Sequence, residues 1–406
     1  MFQKILSQFR NSNKKINQFI PYGRQKITRK DIKAVNYILK NKNLTQGDQV
    51  PLFESEINKV VLSKYAVAVN SGTSALHIAC LALNLQKNDY LWTSPISFVA
   101  SANCGRYCGS KVDFVDIDIS TGLIDINKLK EKLESSQKTG KLPKILVCVH
   151  LAGTSCEMKS IKKLSKKYGF KIIEDASHAI GASYNKTKVG SCKHSDITVF
   201  SFHPVKIITT GEGGMALTNN ENIAKRLKYL RTSGNTKDKS LMHTYPDNEI
   251  WNYQQVELGF NYRMSDIMAA LGLSQMKRLN EFLNFRRKIA RRYDLELSNL
   301  PLKTPFQLKD SNSSYHLYPI RIDNTKSKVS QNDIYKKLWE NKIAANIHYI
   351  PVYLHPYYKN LNFNRGYCPN SEQYFKSAIS IPIFYGLSNE EQTKVIQTIT
   401  DVYLEN

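Results

Sequence analysis

No apolar run in this 406-residue chain approaches the roughly 20 residues that a bilayer-spanning helix needs. The N-terminus, MFQKILSQFRNSNKKINQFIPYG, is basic but has no apolar core of signal-peptide length, so a soluble cytoplasmic protein is expected. Acidic residues are few: 34 Asp+Glu stand against 58 Lys+Arg, leaving a formal net charge of +24. Such an excess can mark a nucleic-acid or membrane surface. No helix-turn-helix, zinc-finger or RNA-binding motif accompanies it, and the basic residues are spread along the chain. The charge therefore reads as compositional bias, with a modest gain in attracting an anionic substrate. The seven cysteines are odd in number and lack CxxC spacing; Cys104 and Cys108 are four apart and the others are scattered. That pattern fits buried thiols in a reducing compartment rather than a zinc site or a disulfide framework. No internal repeat or low-complexity tract occurs.

What is present suffices for two cores. The chain is too long for one ordinary core, and 41% hydrophobic residues with 10% aromatics can fill a large domain and a smaller one. Short apolar segments alternate with helical patterns: strands are predicted at Tyr65 to Asn70, Tyr90 to Thr93, Val112 to Val115, Lys144 to His150 and Lys171 to Asp175. Between them stand helices such as MKSIKKLSKKYG, closed by Gly169. This alternation implies an α/β fold with a parallel sheet covered on both faces. Earlier, Thr28 caps a helix with apolar positions Ile32, Val35, Ile38 and Leu39. Later, the basic helix LNEFLNFRRKIARRYDLELSNL reads as a solvated face, followed by a strand in SSYHLYPIRI and a helix in SQNDIYKKLWENKI.

The chemistry concentrates in Asp196 to Met215, DITVFSFHPVKIITTGEGGM. A buried strand, Ile197 to Phe202, delivers Ser201, His203 and Lys206 into a turn opened by Pro204. Gly211, Gly213 and Gly214 then lead into a second strand, Met215 to Thr218. A lysine on such a stiff loop is either one more surface charge or a group that forms a Schiff base with a carbonyl compound. Ser71-Gly72-Thr73-Ser74, between a strand and the helix ALHIACLALN, is either a plain cap or an anion site built from free amides and the helix dipole. Asp175 ends a parallel strand, where ligands of open sheets gather, while its neighbour Glu174 reads as a strand-end charge. His316, His348, Tyr349 and His355 invite a metal reading, but no compact ligand spacing supports one, and no metal is expected.

The segments SFHPVK…TTGEGGM, EDASHA, SGTSALH and GFNYRMSD, which stand in family order along the chain, closely resemble the DegT/DnrJ/EryC1/StrS family of sugar aminotransferases that use pyridoxal phosphate. Within that family the wording is nearest to the transaminases of the pseudaminic acid pathway, and the resemblance runs from about Phe19 to the end. It implies a fold-type I enzyme: a basic arm over 1–24, a large cofactor-binding domain over 25–275 with a mostly parallel seven-stranded sheet, and a small α+β domain over 276–406. It implies that Lys206 holds the pyridoxal 5'-phosphate aldehyde and then shuttles protons, and that Asp175 pairs with the pyridine nitrogen. Phe98, placed in the first turn of a helix after Pro95, would stack on the ring, and His178 would contact its hydroxyl or else be a satisfied core histidine.

Gly72, Thr73 and Ser201 would hold the cofactor phosphate, joined by Asn261 from a neighbouring subunit, so a homodimer with shared active sites is implied. IHYIPVYLHPYY, with His348 and Tyr349, would wall the substrate cleft. The implied reaction moves an amino group from glutamate to carbon 4 of a UDP-linked 4-keto-6-deoxy-N-acetylhexosamine, with no nucleic-acid or membrane partner. Rival readings are another nucleotide ketosugar (GDP- or dTDP-linked, or 3-keto) and a non-catalytic regulatory or nucleic-acid-binding protein on the same scaffold. Members of the family that dehydrate deoxysugars carry His where this chain has Lys206, which weighs against that activity.

Overall fold

The computed structural model describes residues 18–243, 248–323 and 325–405. Seven strands form its central sheet: β1 (Tyr65–Val69), β2 (Tyr90–Thr93), β3 (Lys111–Phe114), β4 (Ile145–Val149), β5 (Lys171–Asp175), β6 (Ile197–Ser201) and β7 (Gly214–Thr218). Their order across the sheet is β1-β7-β6-β5-β4-β2-β3. All pairings are parallel except those of β7, which runs antiparallel to both β1 and β6. Every residue of β4 and β7 is buried, as expected where helices cover both faces of a sheet. Residue parity assigns the faces. Ile145, Val147 and Ile173 join one buried cluster, and Leu146, Cys148 and Ile172 join another.

The helices that flank or precede these strands are α1 (Arg29–Asn41), α2 (Gln49–Val61), α3 (Gly72–Ala82), α4 (Ala100–Tyr107), α5 (Ile126–Thr139), α6 (Met158–Tyr168), α7 (Glu221–Arg231) and α8 (Asp266–Met276). The Thr28 cap of α1 is a full capping box with Asp31, but Ile32 and Leu39 are exposed. The face α1 buries instead carries Asp31, whose carboxylate accepts from Ser274 Oγ at 2.7 Å and Arg278 Nη2 at 2.6 Å. A polar anchor thus replaces part of the expected apolar stripe.

Beyond α8, the helix α9 (Leu279–Glu296) leads to a three-stranded antiparallel sheet of β8 (Leu302–Lys303), β9 (Tyr318–Ile322) and β10 (Ala378–Ile381), with β9 in the middle. Helices α10 (Gln331–Glu340) and α11 (Asn389–Glu405) pack with it around a buried cluster that includes Ile289, Ile320, Leu338 and Ile399. Ile20 belongs to that cluster too. It is fully buried, its N–H donates to Lys342 O at 2.9 Å, and its carbonyl accepts from Ala344 N at 2.8 Å. The expected basic arm over 1–24 is therefore held in this core at Ile20, whose apolar side chain is buried there; residues 1–17 of it lie outside the described residues.

The solvated face expected for the basic helix also needs correction at Arg286 on α9. Its side chain is buried and Nη1 donates to the carbonyls of Tyr315 (3.2 Å), His316 (3.1 Å) and Ile383 (2.8 Å). Three carbonyl acceptors gathered at one point suit a guanidinium, which has only donors to offer. Among the described residues, no helix is long and apolar enough to cross a membrane.

Candidate active site

A cavity of about 740 Å³ opens at the carboxyl ends of β1, β2, β4, β5 and β6. This is where an open parallel sheet leaves room for a ligand, and the volume suits a cofactor with a substrate. Lys206, Asp175, Gly72, Thr73, Ser201, Phe98, His178, His348 and Tyr349 all line it. Asn261 does not: it is exposed, outside the cavity, with its backbone bridged to Thr232. His355 lines the cavity as well, whereas His316 lies behind it against His178. Among the described residues no cluster of three or more His, Cys, Asp or Glu could hold a metal ion.

Lys206 is set in the turn after β6, its N–H donating to His203 O at 2.9 Å. Burial pulls its ammonium from 10.5 to about 8, and Asp175 in the same cavity opposes that shift. At pH 7 about a tenth of the amine is thus unprotonated and nucleophilic, far more than for an ordinary lysine. Asp175 is buried at the end of β5 and fixed by three donors: Ser101 Oγ at 2.6 Å to one carboxylate oxygen, and Ser177 Oγ (2.6 Å) and N (3.1 Å) to the other. Ser101 rides on α4, so that helix orients the carboxylate from the side. Neither serine stands out in the sequence, where nothing separates it from a helix-surface or turn serine.

Glu174, one residue earlier, points to the opposite face. It is buried, pairs with His150 Nε2 at 2.7 Å and accepts from Ser195 Oγ at 2.5 Å. Hydrogen bonds from His150 and Ser195 hold the Glu174 carboxyl low, and His150 Nδ1 accepts from Cys156 N at 3.2 Å. The expected strand-end charge is in fact a buried, hydrogen-bonded carboxylate outside the cavity, because the strand alternates faces.

The turn before α3 has the form of an anion site. Ser71 Oγ accepts from Ser74 N at 3.0 Å, and the first-turn amides of Gly72 and Thr73 have no carbonyl ahead of them to bond. Gly72 is required sterically: a Cβ there would lie 2.9 Å from Ser201 Cβ. Phe98 precedes α4 rather than lying in it, since that helix begins at Ala100; the ring is 59% exposed and faces the cavity. His348 donates or accepts at Ser380 Oγ (2.9 Å) and burial pushes it down to about 3, so it is neutral. Tyr22, from the segment read as an arm, completes this wall with its ring 5.6 Å from that of His348. The apolar pair Ile20-Pro21 inside a polar stretch was the one sequence signal for it.

A buried amine, an oriented carboxylate, a helix N-terminus stripped of Cβ and an open aromatic ring around one cavity fit pyridoxal phosphate. Comparison with known proteins agrees. The model of the DegT/DnrJ/EryC1/StrS aminotransferase family matches residues 25–400. A UDP-4-amino-4,6-dideoxy-N-acetyl-beta-L-altrosamine transaminase of Campylobacter jejuni is 37% identical over 94% of this chain and 97% of its own. The solved structure of Helicobacter pylori PseC, an aminotransferase involved in the biosynthesis of pseudoaminic acid, superposes with a TM-score of 0.86 at 30% identity, covering 96% of this chain and 100% of that one. The PLP form of a putative sugar aminotransferase, Spr1654 of Streptococcus pneumoniae, reaches 0.85 at 27% identity over 96% and 99%. The chain belongs to the DegT/DnrJ/EryC1/StrS aminotransferase family and is a pyridoxal-phosphate-dependent sugar aminotransferase of fold type I.

Proposed function

We propose that the protein transfers an amino group from glutamate to carbon 4 of a UDP-linked 4-keto-6-deoxy-N-acetylhexosamine, as in the making of pseudaminic-acid-type sugars. The observation that carries the chemistry is the depressed amine of Lys206 in one cavity with Asp175. The substrate rests on similarity to the altrosamine transaminase and to PseC. Lys206 is the residue to hold the cofactor aldehyde. Asp175, steadied by Ser101 and Ser177, would keep the proton on the pyridine nitrogen; Gly72, Thr73 and Ser201 would take the phosphate, and Phe98 would cover the ring. When bound, pyridoxal phosphate supplies the electron sink and carries the nitrogen between the two substrates. Lys206 Nζ removes a proton from the α-carbon of the donor and, in the second half of the reaction, delivers one to carbon 4 of the sugar.

The proposal includes a homodimer with shared sites. Lys206 is the single Lys or Arg among the described residues lining the cavity, and His178 and His348 there are kept neutral. The cofactor phosphate and a nucleotide diphosphate call for more donors than one chain offers. Asn261, exposed beside the cap of α8, is the residue to reach the partner's cofactor phosphate. Purified protein, glutamate and a panel of UDP-, GDP- and dTDP-linked 3-keto and 4-keto sugars test the reading. Amination of the UDP-linked 4-keto-6-deoxy-N-acetylhexosamine above all others supports it, and preference for another member of the panel replaces it.

A further inference from the structure

One hydrogen-bonded pair in the cavity has no part in the steps above. Ala152 N lies 3.3 Å from His178 Nδ1, and a backbone N–H can only donate, so Nδ1 holds the lone pair. Burial first, and then the nearby Lys206 amine, hold the imidazole well below its ordinary range, so it is neutral and carries its one proton on Nε2. Nε2 is 3.2 Å from Tyr349 Oη. The phenol oxygen therefore accepts from His178 and keeps its own O–H to give.

The pair is braced from behind. The His316 ring packs against His178 with centroids 4.4 Å apart, and Arg286 ties down the carbonyls of Tyr315 and His316. In front, Tyr349 joins Tyr22, Asn346 and His348 in a wall of neutral, hydrogen-bonding groups. Such a wall suits an uncharged sugar ring better than the carboxylates of an amino-acid donor.

We propose that His178 is a positioning residue that fixes Tyr349 as a hydrogen-bond donor to an acceptor oxygen of the bound ketosugar. The inference rests on the proposed substrate class, and the test separates the two. With pyridoxal-phosphate-loaded enzyme, the glutamate half-reaction and the half-reaction with the UDP-linked 4-keto-6-deoxy-N-acetylhexosamine are measured separately by absorbance. Tyr349→Phe and His178→Leu should each slow the sugar half-reaction about tenfold more than they slow the glutamate half-reaction, the effect of one lost hydrogen bond to the sugar. The double variant should be no slower than the worse single one, because both remove the same donor. His178→Gln, whose amide N–H can replace Nε2–H, should recover most of the loss.

A glutamine variant as slow as the leucine one would mean that His178 works by proton transfer, and an additive double variant would separate the two residues; either overturns the proposal. A cofactor absorption shifted in Tyr349→Phe would put the phenol on the cofactor's ring oxygen instead and overturn it equally. Nitrogen-15 NMR of histidine-labelled, substrate-free enzyme needs no sugar. It should find His178 as the Nε2–H tautomer, with a resonance that moves in Tyr349→Phe. A wild-type enzyme inert toward the sugar refutes the substrate reading, and the NMR result then decides the pair: an Nδ1–H tautomer would sink it.

Discussion

Two side chains facing one cavity, Lys206 and Asp175, work against each other in a useful way: burial lowers the ammonium to about 8 while the carboxylate limits the drop. Only the neutral amine attacks an aldehyde, so apoenzyme should take up pyridoxal phosphate faster as pH rises through about 8 and reach a plateau above it. Stopped-flow absorbance checks this; a rate still climbing steeply through pH 10 would mean that the site does not depress the amine, a full-range limb expected only of an ordinary lysine. Asp175→Asn should keep the fold, since an amide can still accept from Ser177. It should lose activity by about 10²–10³-fold, because a neutral group cannot balance a protonated ring nitrogen. Steady-state kinetics with circular dichroism reads both, and near-normal turnover would remove Asp175 from this role.

The choice between Asp175 and Glu174 turns on strand parity. Asp175 shares its face with Ile173 and the helices α3 and α4, while Glu174 shares the other with Ile172. A strand with both faces buried offers no apolar alternation to show which residue faces the site; the strand end and the resemblance pointed to Asp175.

At the level of elements, the strands and the lysine turn were legible because apolar runs bounded by Gly and Pro leave few other solutions. Lys171–Asp175 and Tyr90–Thr93 fall where they were expected, and β1, β3, β4, β6 and β7 differ by single residues at their ends. What was not legible depends on distant partners. Arg286 is buried because α9 brings it to the carbonyls of residues 315, 316 and 383, and nothing in the local sequence marks those carbonyls. Arg286→Met should destabilise the protein by roughly 3 kcal/mol or more, leaving three buried acceptors unpaired. A lowered thermal midpoint checks it, and an unchanged one would show that water replaces the guanidinium. Similarly, Gly72→Ala forces a Cβ to within 2.9 Å of Ser201 Cβ at the start of α3. The turn must open, and affinity for pyridoxal phosphate should fall about tenfold or more by fluorescence titration, a shift of the phosphate by a few tenths of an ångström being enough. Unaltered affinity would show that the phosphate does not rest on this turn.

The whole molecule carries a formal charge of +24, yet a single lysine lines the active-site cavity among the described residues. Under the proposed sharing, a second copy supplies what this cavity lacks. An inactive Lys206→Ala chain mixed with an inactive Asn261→Asp chain should regain partial activity, since one site of the mixed dimer collects both defects and the other neither. With exchange of subunits verified, no recovery would mean that Asn261 serves its own chain or neither. All of this presupposes the covalent anchor. Borohydride reduction of the pyridoxal-phosphate-loaded enzyme followed by peptide mass spectrometry tests that anchor most directly: the account predicts pyridoxyl mass on the peptide containing Lys206 and none in Lys206→Ala, and stoichiometric label on any other lysine would contradict it.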